Sequence, residues 1–126
     1  MLDTHVAIWA LSRPELLPSR IEALLSDADN ELHVSTASIW ELSIKASLGR
    51  KSAPDISATA LAERSAEAGY GILPIMPKHA LEVLHLPLLH GDPFDRMLVA
   101  QARIEPMILV THDSLVACYD PNFLTW

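Results

Sequence analysis

Five of the 16 acidic residues stand where carboxylates do chemistry. Asp3 follows an apolar start, Glu41 lies inside an apolar stretch, Asp92 and Asp95 bracket Pro93-Phe94, and Asp113 closes the run Leu109-Val110-Thr111-His112. In an open α/β sheet Asp3 and Asp113 would emerge from one edge, into the crevice beyond the strand ends, and helix starts could bring the others there. Four carboxylates within about 4 Å of one another would repel by roughly 4 kcal/mol per pair at an effective dielectric of 20, so a converged set needs a cation. Oxygen donors suit Mg²⁺ or Mn²⁺, which also engage phosphate, whereas zinc favours nitrogen or sulfur as well.

Each acid also has a plain reading. Lys45 follows Glu41 by one helical turn, and an exposed Glu–Lys pair there contributes about 0.2–0.5 kcal/mol. Asp92 suits an N-cap before Pro93, and Asp95 suits a first-turn acid that complements the helix dipole and bridges to Arg96. Asp113 can cap a short helix beginning at Ser114. Asp3 is harder to explain this way, and the joint placement favours a metal site. His5, His90 and His112 adjoin these acids; structural or outer-shell roles are expected for them.

The elements that must carry these residues follow from periodicity and punctuation. Residues 1–3 read as the end of a buried strand, with Thr4 and His5 turning into a helix bearing Val6, Ile8, Trp9 and Leu11. Ile21, Leu24 and Leu25, interleaved with Arg20, Glu22 and Asp27, predict an amphipathic helix over about 18–28. A short strand over 32–35 feeds a helix capped by Ser35 or Thr36, which runs to Leu48 with Gly49 in the left-handed position. A polar linker with Pro54 leads to a helix over about 56–68, ended by Gly69-Tyr70-Gly71. A strand over 72–75, a short helix over 77–84 and a helix over about 94–104 come next, the latter two opened by Pro77 and Asp92-Pro93. A β-type run over 107–110, a short helix after Asp113 and an edge strand over 123–126 complete the chain. Strands alternating with helices imply an α/β fold, a mostly parallel sheet covered on both faces, in one domain spanning 1–126.

Composition narrows the function classes. Half of the 126 residues are apolar and a fifth are charged, which describes a globular chain with a core. One cysteine, Cys118, fits a reducing compartment. The apolar run from Val6 to Leu11 is too short for a secretory segment, and no stretch reaches the roughly 20 apolar residues that span a bilayer. A soluble cytoplasmic protein is expected. A net charge of −7 argues against a generic nucleic-acid coat, unless the acids gather cations that reverse the sign locally. Arg13, Lys45, Arg50, Lys51 and Arg96 are the cations available to phosphate, though solvated surface is the expectation for most of them. Trp9, Trp40 and Trp126 read as core or interface ahead of base-stacking groups.

Four stretches resemble the PIN-domain nucleases, especially VapC-like toxins: Leu2-Asp3-Thr4-His5 through Trp9, Ser38-Ile39-Trp40-Glu41, Asp92-Pro93-Phe94-Asp95-Arg96, and Leu109-Val110-Thr111-His112-Asp113. The opening Leu-Asp-Thr-His-Val-x-x-Trp and the run from Asp92 to Ala102 are the most specific. The resemblance implies a PIN-like three-layer fold in which Asp3, Glu41 and Asp95 are the catalytic metal ligands, Asp92 and Asp113 further ligands, and Thr4 an outer-shell group. Relatives often place a last acid where this chain has Ser114-Leu115-Val116-Ala117, which leaves Asp113 the weakest match. They also carry several residues before the Leu-Asp pair, so either a frayed first strand or a mis-set start is expected. The implied activity is a cytoplasmic Mg²⁺- or Mn²⁺-dependent endoribonuclease, the toxin of a type II toxin–antitoxin pair, bound by a cognate antitoxin and paired as a homodimer. No RNA-contacting residue is assigned. Two alternatives stand beside it: a catalytically silent interaction module of the same fold, or a nuclease of RNA maturation or structured DNA without an antitoxin. Phosphoryl transfer through Asp3 is disfavoured, because His5 stands where a second acid is usual.

Overall fold

The structure, a computed structural model, describes residues 1–49 and 56–126. The expected Pro54 linker and the Arg50-Lys51 pair lie outside the described residues.

The sheet is built on Leu2, which is fully buried. Its N–H donates to His33 O at 2.9 Å, and the next N–H, of Asp3, donates to Val110 O at 3.0 Å, so the first segment is stitched on both sides. Strand β1 (His33–Ser35) pairs in parallel with β2 (Gly71–Leu73), Val34 opposite Ile72. Parallel bridges join Leu2 to Val34, Leu2 to Val110 and Val110 to Leu124. The resulting order across the sheet is β2, β1, the Leu2 segment, the Val110 segment and the Leu124 segment.

The predicted runs 107–110 and 123–126 therefore pair at single residues and do not form extended strands. The first segment is equally short, because the Asp3 side chain accepts the Val6 N–H at 2.9 Å and turns the chain straight into α1 (Thr4–Ser12). Strand β2 begins one residue earlier than the apolar pattern suggests and ends at Leu73. Pro74 follows with no N–H to donate, and its carbonyl accepts from Gln101 Nε2 at 3.2 Å.

Successive residues of an extended segment face opposite sides of a sheet, and two cores follow from that alternation. Leu2 and Val110 join Val6, Ala7, Val34, Leu42 and Leu61 in one cluster. Met1 and Leu109 join Ala37, Leu98, Val99 and Phe123 in the other. Helices α1, α2 (Ser19–Ser26), α3 (Thr36–Ser47) and α4 (Ala58–Glu67) contribute to the first core, and α6 (Pro93–Ile104) and α7 (Ser114–Ala117) to the second. This is the α/β arrangement of a parallel sheet with helices on both faces. Helix α2 stops two residues short of the expected 28, since Asp27 is extended and its carboxylate accepts the Asp29 N–H in a local turn. The helix expected over 77–84 is α5 (Pro77–Glu82) continued by a 3₁₀ turn, Val83–His85. A 3₁₀ turn at Pro14–Leu16 had no counterpart in the pattern. Gly49 has φ +60° where α3 ends, as a left-handed C′ residue requires. Among the described residues no helix is long and apolar enough to cross a membrane.

Candidate active site

Asp3 ties the sheet together. Its Oδ1 caps α1 through Val6, and its Oδ2 accepts the Thr111 hydroxyl and, at 3.3 Å, the His112 N–H. Thr111 is held in turn by the Asp113 N–H at 3.0 Å. Burial pushes the Asp3 carboxyl above the usual carboxylate range, against the opposing pull of these hydrogen bonds.

Glu41 is 4% exposed on α3. Thr4 donates its hydroxyl to Glu41 Oε2 at 2.6 Å and lies 2.9 Å from Ser38 Oγ, while Lys45 pairs with Oε1. The Glu–Lys pair of the plain reading therefore exists, but its acid is buried. Two ties bring α3 to α6: the Trp40 and Phe94 rings meet edge to face at 5.0 Å, and Ser35, the cap of α3, bonds Gln101. Trp40 precedes Glu41 and Phe94 precedes Asp95, so the clasp sets both acids beside the sheet edge.

Asp95 registers the convergence. Its carboxyl is pushed up to about 7 by burial first, then by the nearby charges of Asp92, Glu41 and Asp3, with His90 pulling the other way. The side chain keeps 26% of its surface and lies 3.5 Å from His90 Nδ1. The expected bridge from Asp95 to Arg96 gives way to a different arrangement. Arg96 donates to the carbonyls of Val83, Leu86 and Pro87 and to Tyr119 Oη, four acceptors grouped by the turn after α5. It holds that turn in place of an acid or a phosphate.

Asp92 caps α6, accepting the Phe94 N–H at 2.8 Å, as the local reading expects, and still bears on Asp95 electrostatically. Asp113 caps α7 through the Leu115 and Val116 N–H groups at 2.7 and 3.2 Å. Burial works to raise its carboxyl, but those two N–H groups and His90 together hold it below its ordinary value.

His90 stands between two acids. Its Nδ1 accepts the Asp92 N–H at 3.1 Å, so in the neutral ring the proton sits on Nε2, which lies 3.4 Å from Asp113 Oδ2. One atom from each of His90, Asp95 and Asp113 falls within 4.8 Å of the others. The His90 backbone N–H is fixed to Tyr119 Oη at 2.9 Å. Ser38, Thr111, Arg96 and Tyr119 are thus site residues that sequence reasoning missed or placed elsewhere. Ser38, three residues before Glu41 on the same helix face, could have been found by spacing; the others act on segments distant from them in the chain.

Asp3, Asp95 and Asp113 line one cleft of about 260 Å³, together with His5, Trp9 and His112. A larger cavity of about 490 Å³ lies at the opposite sheet end, between residues 25–33 and 68–71. Its acids, Asp27 and Glu31, are exposed, and the smaller cleft is the better candidate for chemistry.

The PIN domain family profile matches residues 1–117. No curated protein sequence matches the chain significantly. Among solved structures, the chain is similar to one in the crystal structure of VapBC2 from Rickettsia felis bound to a DNA fragment from their promoter, with a TM-score of 0.67 and 18% identity. That match covers 100% of this chain and 96% of the other. At such identity the likeness speaks to the fold.

Proposed function

The chain belongs to the PIN domain family, and from that premise we propose that it is a metal-dependent endoribonuclease, the toxin of a type II toxin–antitoxin pair. The observation that carries this reading is the cleft onto which Asp3, Asp95 and Asp113 converge from distant parts of the chain, with Asp92 and Glu41 near enough to push the Asp95 carboxyl up. Carboxylates that raise one another's pKa favour a counter-charge, and among the described residues Lys45 pairs with Glu41 while His90 lies against Asp95 and Asp113.

The donors within 4.8 Å of one another are single atoms of His90, Asp95 and Asp113, Asp3 lines the same cleft, and Glu41 does not line it but bears on Asp95 electrostatically. Asp3, Glu41 and Asp95 are the proposed ligands, with Asp92 and Asp113 at the rim, and carboxylate oxygens favour Mg²⁺ or Mn²⁺. When bound, such an ion supplies positive charge against a scissile phosphate and makes water a stronger acid. The protein's own groups prepare that site. Thr111 and the His112 N–H orient Asp3, Thr4 orients Glu41 from outside the ligand set, and the α7 N–H groups keep Asp113 ionised. His90 Nε2 faces Asp113 and holds that side of the cleft.

The likeness to a chain of the VapBC2 complex supports a cognate antitoxin as partner. A homodimer, a cytoplasmic setting and a single domain over 1–126 complete the proposal. The test is expression of the chain alone and with its neighbouring gene, with mapping of RNA ends, alongside cleavage of an RNA pool by the purified protein. Expected are Mn²⁺-dependent cuts, lost in Asp95→Asn, and growth arrest relieved by the neighbour. Cleavage that persists undiminished in EDTA or in Asp95→Asn would sink the metal reading.

A further inference from the structure

Four rings form a continuous array at the mouth of the acidic cleft. His5 lies 6.2 Å from Trp9, Trp9 lies 5.3 Å from His112, and His112 lies 5.1 Å from Trp126, which in turn is 6.2 Å from Trp9. The indoles are half-buried and packed against the core beneath, whereas both imidazoles are exposed. The array is bound to the acids by the backbone: His5 is two residues from Asp3, and the His112 N–H donates to Asp3 Oδ2.

Two nearby cations are already engaged, Lys45 by Glu41 and Arg96 by backbone carbonyls. A strand whose phosphate meets the carboxylates gains affinity from any further surface at this end of the cleft that suits a base. Flat aromatic surface supplies it, because every base has a π-face to stack.

Building on the nuclease reading, we propose that His112, packed on the touching pair Trp9 and Trp126 with His5 beside Trp9, is the subsite that stacks the nucleobase next to the scissile phosphate. His112 is a binding residue in this proposal and takes no part in bond cleavage. An exposed imidazole resting against two anchored indoles is pre-set for such a role, since part of its side-chain freedom is already lost before binding.

The test is a binding cycle in an Asp95→Asn background, so that the strand stays intact. A fluorescein-labelled single-stranded RNA decamer and its twin with abasic residues are titrated against the otherwise unchanged chain, His112→Ala and His112→Phe, with anisotropy as readout. His112→Ala is expected to raise Kd about tenfold for the base-bearing strand and to leave the abasic strand unchanged. His112→Phe, which keeps a stacking face and lacks ring nitrogens, restores binding. An equal loss on both strands, or no rescue by Phe, overturns the stacking subsite. Thermal melts of the three proteins separate this from unfolding: a destabilised His112→Ala with normal RNA affinity makes the array structural and overturns the proposal. Calorimetry of Mn²⁺ with the wild-type chain judges the nuclease reading separately, because no Mn²⁺ binding there defeats the metal site whatever His112 does.

Discussion

Replacing Asp95 with Asn removes a carboxyl group that the fold holds in an unfavourable setting while keeping its shape. The group's pKa rises from its ordinary 3.8 to about 7 on folding, so the folded chain binds the proton more tightly than the unfolded chain does. Between those two values stability must fall as pH rises. At 1.36 kcal/mol for each pH unit, the ionised carboxylate costs the metal-free protein about 4 kcal/mol once the pH passes about 8. Somewhat more than half of that is lost between pH 5 and pH 8, and the remainder below about pH 5. Asp3, also raised by burial, works in the same direction. Urea denaturation in EDTA at the two pH values measures the difference directly. Asp95→Asn is expected to gain on the wild type by about 2–3 kcal/mol on going from pH 5 to pH 8. Adding Mn²⁺ at about pH 8 should stabilise the wild type and leave the variant little changed. A stability gap that is the same at both pH values would refute the reasoning, since the carboxyl would then not titrate in that window.

Asp3→Asn and Glu41→Gln are expected to bring Mn²⁺-dependent RNA cleavage to background while far-UV circular dichroism stays native; retained cleavage in either would remove that residue from the ligand set. Arg96→Met should destabilise the fold by about 1 kcal/mol in urea, because the Val83 and Pro87 carbonyls, partly open to solvent, lose their donor. A loss under about 0.5 kcal/mol would show that water replaces the guanidinium. Thr4→Val deletes the hydroxyl on Glu41 and should weaken Mn²⁺ binding about 10- to 100-fold by calorimetry. Unchanged affinity would mean that Lys45 alone suffices to orient the acid.

Much of the local architecture was legible because it obeys rules of short range. Ser35 and Asp92 cap helices where residue type predicts, Gly49 ends α3 in the left-handed region, and the 3.6-residue rhythm of Ile21, Leu24 and Leu25 marks α2. The parallel α/β order followed from alternation of elements. Less legible was the width of the sheet: an apolar run such as 107–110 has strand character throughout, yet only Val110 bridges its neighbours. Periodicity reports which face is apolar and says nothing of how far a partner runs alongside.

Residue types and spacing alone determined that Asp3 ends a buried segment, that Glu41 sits on an apolar helix and that Asp92 and Asp95 open another. Tertiary structure alone decided that Asp95 feels Asp92, Glu41 and Asp3, that Arg96 turns away to backbone carbonyls, and that His90 enters between Asp95 and Asp113. The reason is physical: caps and helical periods are energies between neighbours in the chain. The bond from Thr111 to Asp3 spans 108 positions and exists because parallel strands emerge side by side at one sheet edge.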